Sequence, residues 1–282
     1  MSYNMYFCEG GLYMTKVITL GLQKGGVSKT TTAGILAYLM AKDNKKVLAV
    51  DMDSQGNLTE LLTEEPANNF IDRSIFEAIA YKDPKRYIYS VNNYIDLLPA
   101  NNFLASFGRW IYLKKIPGVE KSIPYSGKPY EQLNLTLKMI RNNYDYIVID
   151  TPPSLSEQTT NALIASNYCL IPYESSRFCY SALPNFLETV EFVQKNGSND
   201  LKILGISRTL NDKRRNDSKF FNDKVAEDYP DLVFDAVITR KATIGRIPLY
   251  GFDDNNELNE ALSEFNLLYK EILTRLGEVD NE

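Results

Sequence analysis

The sequence predicts an α/β fold: a doubly wound, mainly parallel sheet with helices on both faces. Three observations support this prediction. Short strand patterns alternate with helical patterns along most of the 282 residues. The strand patterns are apolar throughout, which is typical of parallel strands that are covered on both faces. Glycine-rich and acidic segments directly follow the strands, at the end of the sheet where such folds bind their ligands.

The first part of the chain supplies three predicted strands. KVITLGL (16–22) is a short run of apolar and β-branched residues, KKVLAVDMD (45–53) ends in acids, and YIDLLPA (94–100) is the third. Between the first two, segment 31–43 has the spacing of a helix. That spacing places four apolar residues on one face, namely Ile35, Leu36, Leu39 and Met40.

The second part of the chain continues the alternation. We predict a helix over 131–143 and a buried strand over 144–153 that two prolines stop. Further strands are predicted at 167–174, 201–210 and 231–238, and one closing helix at 256–278.

The composition excludes several classes of function. A net charge of −5 rules out an overall basic field, so any binding of nucleic acid needs a local patch. The sequence has no histidine, which excludes histidine general bases, Ser-His-Asp triads and zinc sites built on imidazole. Cys8, Cys169 and Cys179 show neither metal-ligand spacing nor a disulfide pattern, so we expect a reducing, cytoplasmic location.

We predict one domain over residues 14–282. Residues 1–13 lack a basic segment and a long apolar run, so they are expected to be a loose extension and not a signal peptide. No segment reaches the roughly 18 apolar residues of a membrane span. The least regular stretch lies around 103–130, contains the single tryptophan, Trp110, and is interpreted as an excursion from this domain.

A phosphate-binding loop is predicted after the first strand. The usual pattern is G-x-x-x-x-G-K-[ST], and here the corresponding residues are Q-K-G-G-V-S-K-T, with Gln23 and Ser28 in place of the outer glycines. The inner pair, Gly25 and Gly26, allows successive amides to point at phosphate oxygens. Lys29 would reach the β- and γ-phosphates of a nucleotide.

Within the same loop, Thr30 would place its hydroxyl on Mg²⁺, and the following helix would direct its N-terminus at the phosphates. The pattern needs only one lysine, which leaves Lys24 unexplained.

Carboxylates follow two other strands. Asp51 and Asp53 are two residues apart, so along an extended chain both side chains would point the same way. Asp150 follows the strand at 144–153 and is expected to hold Mg²⁺ through water. Pro152 and Pro153 make a stiff turn suited to sensing a terminal phosphate.

These segments resemble the ParA/Soj branch of the ParA–MinD superfamily, which has a deviant Walker A loop. The resemblance rests on QKGGVSKTT in the loop, VDMDSQGNLTELL after the second strand and YDYIVIDTPPSLSEQTTNAL around Asp150. It covers nearly the whole chain from Lys16 onwards. Two departures stand out: Leu22 replaces an asparagine, and Ser28 replaces a glycine, which fits only if this position needs no positive φ.

The resemblance implies an ATPase that converts ATP to ADP and phosphate, with ATP and Mg²⁺ as cofactors. Lys24 would reach across a nucleotide-sandwich homodimer to the phosphates of the other subunit, in the manner of an arginine finger. Lys24, Lys29 and Asp53 would be catalytic, with Asp53 placing the attacking water. Thr30, Asp51 and Asp150 would serve the metal site, Asp51 by supporting its network.

The same resemblance implies a set of nucleotide-binding residues. Arg240 is expected near the adenine, although the proline that usually precedes it is replaced by Thr239. The full set is Gln23, Lys24, Gly25, Gly26, Val27, Ser28, Lys29, Thr30, Thr31 and Arg240.

A local basic patch is predicted in the last third of the chain. Only two acids interrupt its first part, and we expect the protein to present a basic face with its acids directed away. Relatives of this type bind double-stranded DNA without sequence preference as ATP dimers, are stimulated by a ParB-like centromere-binding partner and associate with the nucleoid. The candidate DNA-binding residues are Lys213, Arg214, Arg215, Lys219, Lys241 and Arg246.

Two alternatives remain open. A MinD-like membrane-surface ATPase would end in a basic amphipathic helix, but the polar face of the predicted closing helix is acidic, so we expect no membrane binding. A metabolic P-loop ligase, similar to dethiobiotin synthetase, would need neither Lys24 in trans nor a basic patch.

Overall fold

The computed structural model describes residues 14–114, 124–197, 200–212, 214–252 and 255–278. The predicted loose extension at 1–13 and the DNA-binding candidate Lys213 lie outside the described residues, as does part of the excursion around 103–130. The assignment of one domain to residues 14–282 stays a prediction.

One sheet of eight strands forms the centre of the described molecule. Its order is β3-β4-β2-β5-β1-β6-β7-β8, and only β3 runs antiparallel to its neighbour. The predicted fold class is confirmed, while β3 was not predicted from the sequence. The strands are β1 Lys16–Leu20, β2 Val47–Asp51, β3 Tyr89–Ser90, β4 Ile95–Leu98, β5 Tyr146–Asp150, β6 Tyr168–Glu174, β7 Lys202–Asn211 and β8 Val233–Thr239.

Helices cover both faces of this sheet. Neighbouring residues of one strand enter different hydrophobic clusters: Val47 and Ala49 pack in one cluster, and Leu48 and Val50 pack in the other. The helices are α1 Lys29–Lys42, α2 Asn57–Thr63, α3 Ile75–Tyr81, α4 Phe107–Leu113, α5 Gln132–Leu137, α6 Glu157–Ala165, α7 Arg177–Asn196, α8 Asn216–Asp228, α9 Ala242–Tyr250, α10 Asn256–Ala261 and α11 Ser263–Arg275.

The described part of the excursion packs onto the domain. Trp110 of α4 is fully buried and meets the rings of Phe76 and Phe107 edge-on or tilted. The predicted helix at 131–143 is shorter than expected, because α5 ends at Leu137 and only a 3₁₀ turn, Arg141–Asn143, follows.

The predicted closing helix is divided in two. The chain bends at Leu262, where ψ is −3°, and the Ser263 hydroxyl donates to the Glu260 carbonyl. Such a side-chain bond competes with the helical ladder. The apolar stripe is buried against the sheet, which confirms core packing over a lipid-facing role: Leu258, Leu262, Phe265, Leu268, Ile272 and Leu276.

Acidic residues on α11 satisfy the edge strand β8. The carboxylate of Glu271 accepts from the amides of Asp235 and Ala236, at 2.7 and 2.8 Å, and that of Glu264 accepts from the amide of Thr239 at 2.7 Å. An edge strand otherwise presents unpaired amides to other chains. The acidic face of the closing segment therefore has a structural role in the sheet.

Within the described residues, no helix has the length and apolar character needed to cross a membrane.

Candidate active site

The site lies at the carboxyl ends of β1, β2 and β5. The register of the sheet places Leu20 opposite Asp150 and Asp150 opposite Asp51, so the segments after these strands meet at one edge. The loop between β1 and α1 begins at Gly21, where an added Cβ would lie 2.5 Å from the ring of Phe186 on α7. The base of the loop is thus packed closely against α7.

The loop turns through two positive-φ residues. Gly26 has φ 76° with open space around its α-carbon, so glycine is needed there for conformation. Ser28 has φ 65° and ψ 25°, in the left-handed region, and its side chain makes no capping bond to α1. The condition stated for serine at this position, that no positive φ is needed, is therefore not met: the backbone path from β1 into α1 places a residue with a side chain in this conformation.

A cavity of about 410 Å³ opens above this loop. Its lining comprises loop residues 25–31 together with Asp53, Gln55, Asn57, Thr151 and Pro153. Gln55, Asn57 and Thr151 were not singled out from the sequence, although they lie in two of the three segments that carry the resemblance.

Lys29 is buried at the base of the cavity. Its ammonium donates to the carbonyl of Lys24 at 2.7 Å and to that of Leu22 at 3.3 Å. Burial lowers the pKa of Lys29, and the nearby carboxylates of Asp150 and Asp53 oppose that shift. An anion bound in the cavity would strengthen the opposition and favour the charged lysine.

Thr30 and Asp150 lie together at the candidate metal position. The Thr30 hydroxyl donates to Oδ2 of Asp150 at 2.6 Å, whereas Oδ1 of Asp150 is buried and has no hydrogen-bond partner among the described residues. Burial raises the pKa of Asp150 to about 8, and the Asp51 carboxylate adds to this shift. An unpaired buried carboxylate oxygen fits a hydrated divalent cation, which would supply the missing positive charge.

The described residues contain no group of three or more acidic or cysteine ligands that could hold a metal alone. Bound Mg²⁺ would therefore have to complete its coordination with waters and phosphate oxygens, as it commonly does.

Asp51 and Asp53 have different hydrogen-bond partners, and the strand β2 ends at Asp51. Both Asp51 oxygens accept bonds: Oδ2 from the amide and hydroxyl of Thr59, at 2.9 and 2.8 Å, and Oδ1 from the amide of Asp53 at 3.1 Å. Burial still raises the pKa of Asp51 to about 7 against these bonds. These contacts account for Asp51 without a metal, so its supporting role there stays a prediction.

Asp53, in contrast, faces the cavity. Its carboxylate helps to line the cavity, and its Oδ1 accepts from the amide of Gln55 at 3.0 Å. This places a carboxylate where an attacking water could be oriented.

The second lysine of the loop lies elsewhere. Lys24 is half-buried, and its ammonium sits 5.3 Å from the centre of the Phe178 ring on α7. Neither Lys24 nor the exposed Gln23 is among the described residues that line the cavity. The two lysines are thus directed to different places.

Arg240 lies outside the phosphate cavity. Its guanidinium is 3.4 Å from the Glu174 carboxylate, beside a small cavity of about 90 Å³ at the carboxyl ends of β6, β7 and β8. The Thr209 hydroxyl donates to the Val27 carbonyl at 3.0 Å, which connects β7 to the loop. The predicted contact of Arg240 with adenine stays a prediction.

The predicted basic patch is paired with acids. Arg214 contacts Asp212 at 3.1 Å, and Arg215 contacts Asp217 at 2.6 Å. The expectation that acids are directed away from this face is wrong for these residues, because each guanidinium folds back onto a carboxylate two positions away. Both arginines remain largely exposed, at 90% and 58% of the side chain, so water and salt weaken the pairs.

The remaining candidates differ in availability. Lys219 is exposed on α8. Arg246 pairs with Glu257 at 2.8 Å, and Lys241 donates to the Ala261 carbonyl at 3.2 Å beside Glu264. Lys241 is the least available, since its ammonium is held at the end of α10.

The chain matches known proteins over most of its length. A family model described as an AAA domain matches residues 15–203. The sporulation initiation inhibitor protein Soj of Bacillus subtilis is 33% identical over 241 residues, which cover 84% of this chain and 89% of Soj.

Two solved structures add to this. A putative plasmid partition protein of Borrelia burgdorferi bound to AMPPNP is 27% identical with a TM-score of 0.70, covering 94% of this chain and 100% of that one. A chain described as cobyrinic acid a,c-diamide synthase of Mycobacterium smegmatis, with bound ADP and magnesium, is 30% identical with a TM-score of 0.71, covering 89% and 96%. From the loop, the sheet order and these matches together, the chain belongs to the ParA/Soj family of P-loop ATPases.

Proposed function

We propose that the chain is a partition ATPase whose ATP-bound form is a sandwich dimer. ATP and Mg²⁺ bind in the cavity above the loop, two subunits close around two nucleotides, and hydrolysis to ADP and phosphate reopens the dimer. The observation that carries this proposal is the separation of the two lysines. Lys29 lies inside the cavity, and Lys24 lies outside it on the subunit surface.

Lys29 is already arranged for exchange with phosphate. Its ammonium bonds to two backbone carbonyls, and a terminal phosphate would replace these neutral acceptors with charged ones. Thr30 and Asp150 would hold the hydrated Mg²⁺, which screens the charge of the phosphates. The nucleotides bound to the Borrelia and Mycobacterium chains support this assignment.

Asp53 is the residue that we propose for orienting the attacking water. The Asp53 carboxylate lines the cavity, whereas the Asp51 carboxylate accepts hydrogen bonds from Thr59 of α2. With no histidine in the sequence, the water must be oriented by a carboxylate or an amide, and Asp53 is the carboxylate in this lining.

We further propose that the dimer binds double-stranded DNA without sequence preference, acts in the cytoplasm on the nucleoid, and is stimulated by a ParB-like partner. The exposed Arg214, Arg215 and Lys219 support a DNA surface, since two subunits would double it. Their neighbouring acids compete with phosphate, so we expect affinity to be modest and highly sensitive to salt.

The test compares two variants by sedimentation with AMPPNP and Mg²⁺. Lys24→Ala should bind the nucleotide as a monomer but fail to dimerise, because its target is the partner's phosphate. Lys29→Ala, the matched control, should lose nucleotide binding itself, measured with a fluorescent analogue. A normal dimer with normal turnover in Lys24→Ala would refute the proposal.

The alternatives have less support. A MinD-like membrane ATPase would need an available amphipathic surface, and the stripe in the closing segment is buried. A metabolic P-loop ligase would bind its nucleotide and Mg²⁺ in the same cavity, and the Mycobacterium chain named as a synthase holds ADP and magnesium. Such a ligase would have no use for Lys24 in trans, so the same variant separates the two.

A further inference from the structure

An exposed aromatic ring lies beside the lysine that we propose to act in trans. Phe178 is 73% exposed at the second position of α7, and the Lys24 ammonium lies 5.3 Å from its ring centre. A single exposed phenylalanine needs no explanation by itself. A ring whose negative face lies beside a functional cation does need an explanation, because such a cation–π contact is attractive and directional.

Phe178 lies in the first turn of α7, which packs against the phosphate loop beyond its internal proline, Pro184. Two turns further along α7, Phe186 is fully buried and packs so closely on Gly21 that this position admits no side chain. At its start, α7 is capped by Ser176, whose hydroxyl accepts from the Cys179 amide at 3.4 Å. The cap thus orders the first turn of α7, which carries Phe178, and Phe186 holds the helix against the base of the phosphate loop.

The loop fixes the other partner. The Lys24 amide donates to the Leu22 carbonyl at 2.7 Å, while the Lys24 carbonyl accepts from Lys29. The backbone of Lys24 is therefore held, and its side chain extends outwards over α7, away from the described lining of its own cavity.

We propose that Phe178 is a positioning residue for Lys24: its ring holds the ammonium at the subunit surface, where a second copy of this chain presents its bound nucleotide. This inference rests on the proposed function. An unsupported lysine has several mobile torsions that must be ordered when the dimer closes. A side chain that is restrained beforehand loses less freedom on binding, which favours association and correct placement.

The expected effect follows from the strength of such a contact. A cation–π contact at an exposed site changes an equilibrium by about two- to five-fold. Phe178→Leu should weaken the AMPPNP dimer by about that factor and leave nucleotide affinity of the monomer unchanged. Phe178→Tyr keeps the ring and should behave as the wild type.

The experiment measures three quantities in the full chain. Sedimentation gives the dimer dissociation constant with AMPPNP and Mg²⁺, and steady-state assays give ATP turnover per dimer at saturating protein. NMR gives the upfield shift that a ring imposes on the Lys24 ε-methylene protons, which Phe178→Leu should abolish. Phe192→Leu is the matched control, since Phe192 is also exposed on α7, at 65%.

The outcomes are distinct. Turnover per saturated dimer should fall about two- to five-fold in Phe178→Leu, because Lys24 also serves hydrolysis. If Phe178→Leu weakens the dimer but leaves turnover normal, Phe178 contributes only to the dimer contact and does not position Lys24. If Phe178→Leu tightens the dimer, the ring holds Lys24 back from its target. Either result overturns the inference. A defective Lys24→Ala beside a normal Phe178→Leu refutes only this inference, whereas a normal Lys24→Ala refutes the proposed function and this inference with it.

Discussion

Replacing Ser28 by glycine should stabilise the nucleotide-free protein. Ser28 has φ 65° and ψ 25°, and its hydroxyl forms no capping bond that the change would remove. A left-handed conformation costs a residue with a Cβ roughly 1–2 kcal/mol. Glycine loses more freedom on folding, which offsets about 0.4–1 kcal/mol of that gain.

The middles of these two ranges give a net stabilisation of about 0.8 kcal/mol, which for a domain of this size raises the melting temperature by about 2–3 °C. Thermal unfolding followed by circular dichroism, without nucleotide, measures it. Ser28→Ala removes the hydroxyl but keeps a Cβ, so it should melt close to the wild type. A glycine variant that melts at or below the wild-type temperature would refute the reasoning, and an equal gain in the alanine variant would attribute the effect to the hydroxyl.

Three further predictions concern the site and the surface. Asp53→Ala should slow hydrolysis far more than ATP binding, so its ATP dimer should persist in sedimentation; unchanged turnover would move the water-orienting role elsewhere. Burial raises the pKa of Asp150 to about 8. Between about pH 4 and 8 the unfolded chain therefore loses this proton while the folded protein keeps it, so the free energy of unfolding falls as the pH rises. In urea unfolding without nucleotide, the stability of Asp150→Asn should fall less than that of the wild type between pH 6 and 8. Mg²⁺ and ATP should stabilise this variant less than the wild type. Parallel curves of stability against pH would contradict the prediction. Changing Arg214 and Arg215 together to Glu should weaken binding to unrelated duplexes alike. The dimer would lose two phosphate contacts in each subunit, so the log–log salt slope in anisotropy titrations should fall by about 3.6, at about 0.9 per contact. Wild-type affinity at matched salt would show that the DNA surface lies elsewhere.

The central part of the site could be predicted because its signals are local. The phosphate loop, Asp53 and Asp150 each follow a strand, and parallel strands bring their carboxyl ends together whatever the details of packing. The two-faced sheet was predictable for a similar reason, since strands that are apolar throughout need cover on both sides.

Other features depend on distant parts of the chain or on exact backbone paths. The positive φ of Ser28 follows from how β1 is joined to α1, which residue type alone does not reveal. Arg246 finds its carboxylate on α10, and Arg240 finds one at the end of β6. Phe178 carries no sequence signal at all, because it meets Lys24 only when α7 packs on the loop.

The contacts between α11 and the sheet edge have a consequence for biosynthesis. During translation, β7 and β8 are complete before Glu264, Glu271 and Arg275 have been added. The Arg275 guanidinium donates to the carbonyls of Leu204, Leu232 and Val233, at 2.8–3.0 Å, so several polar groups at this edge lack partners until then. A nascent chain in which translation pauses at this stage would expose an unpaired edge strand to other nascent chains. Once α11 packs against β8, its two carboxylates and its guanidinium pair these backbone groups, and the edge no longer offers them to another chain.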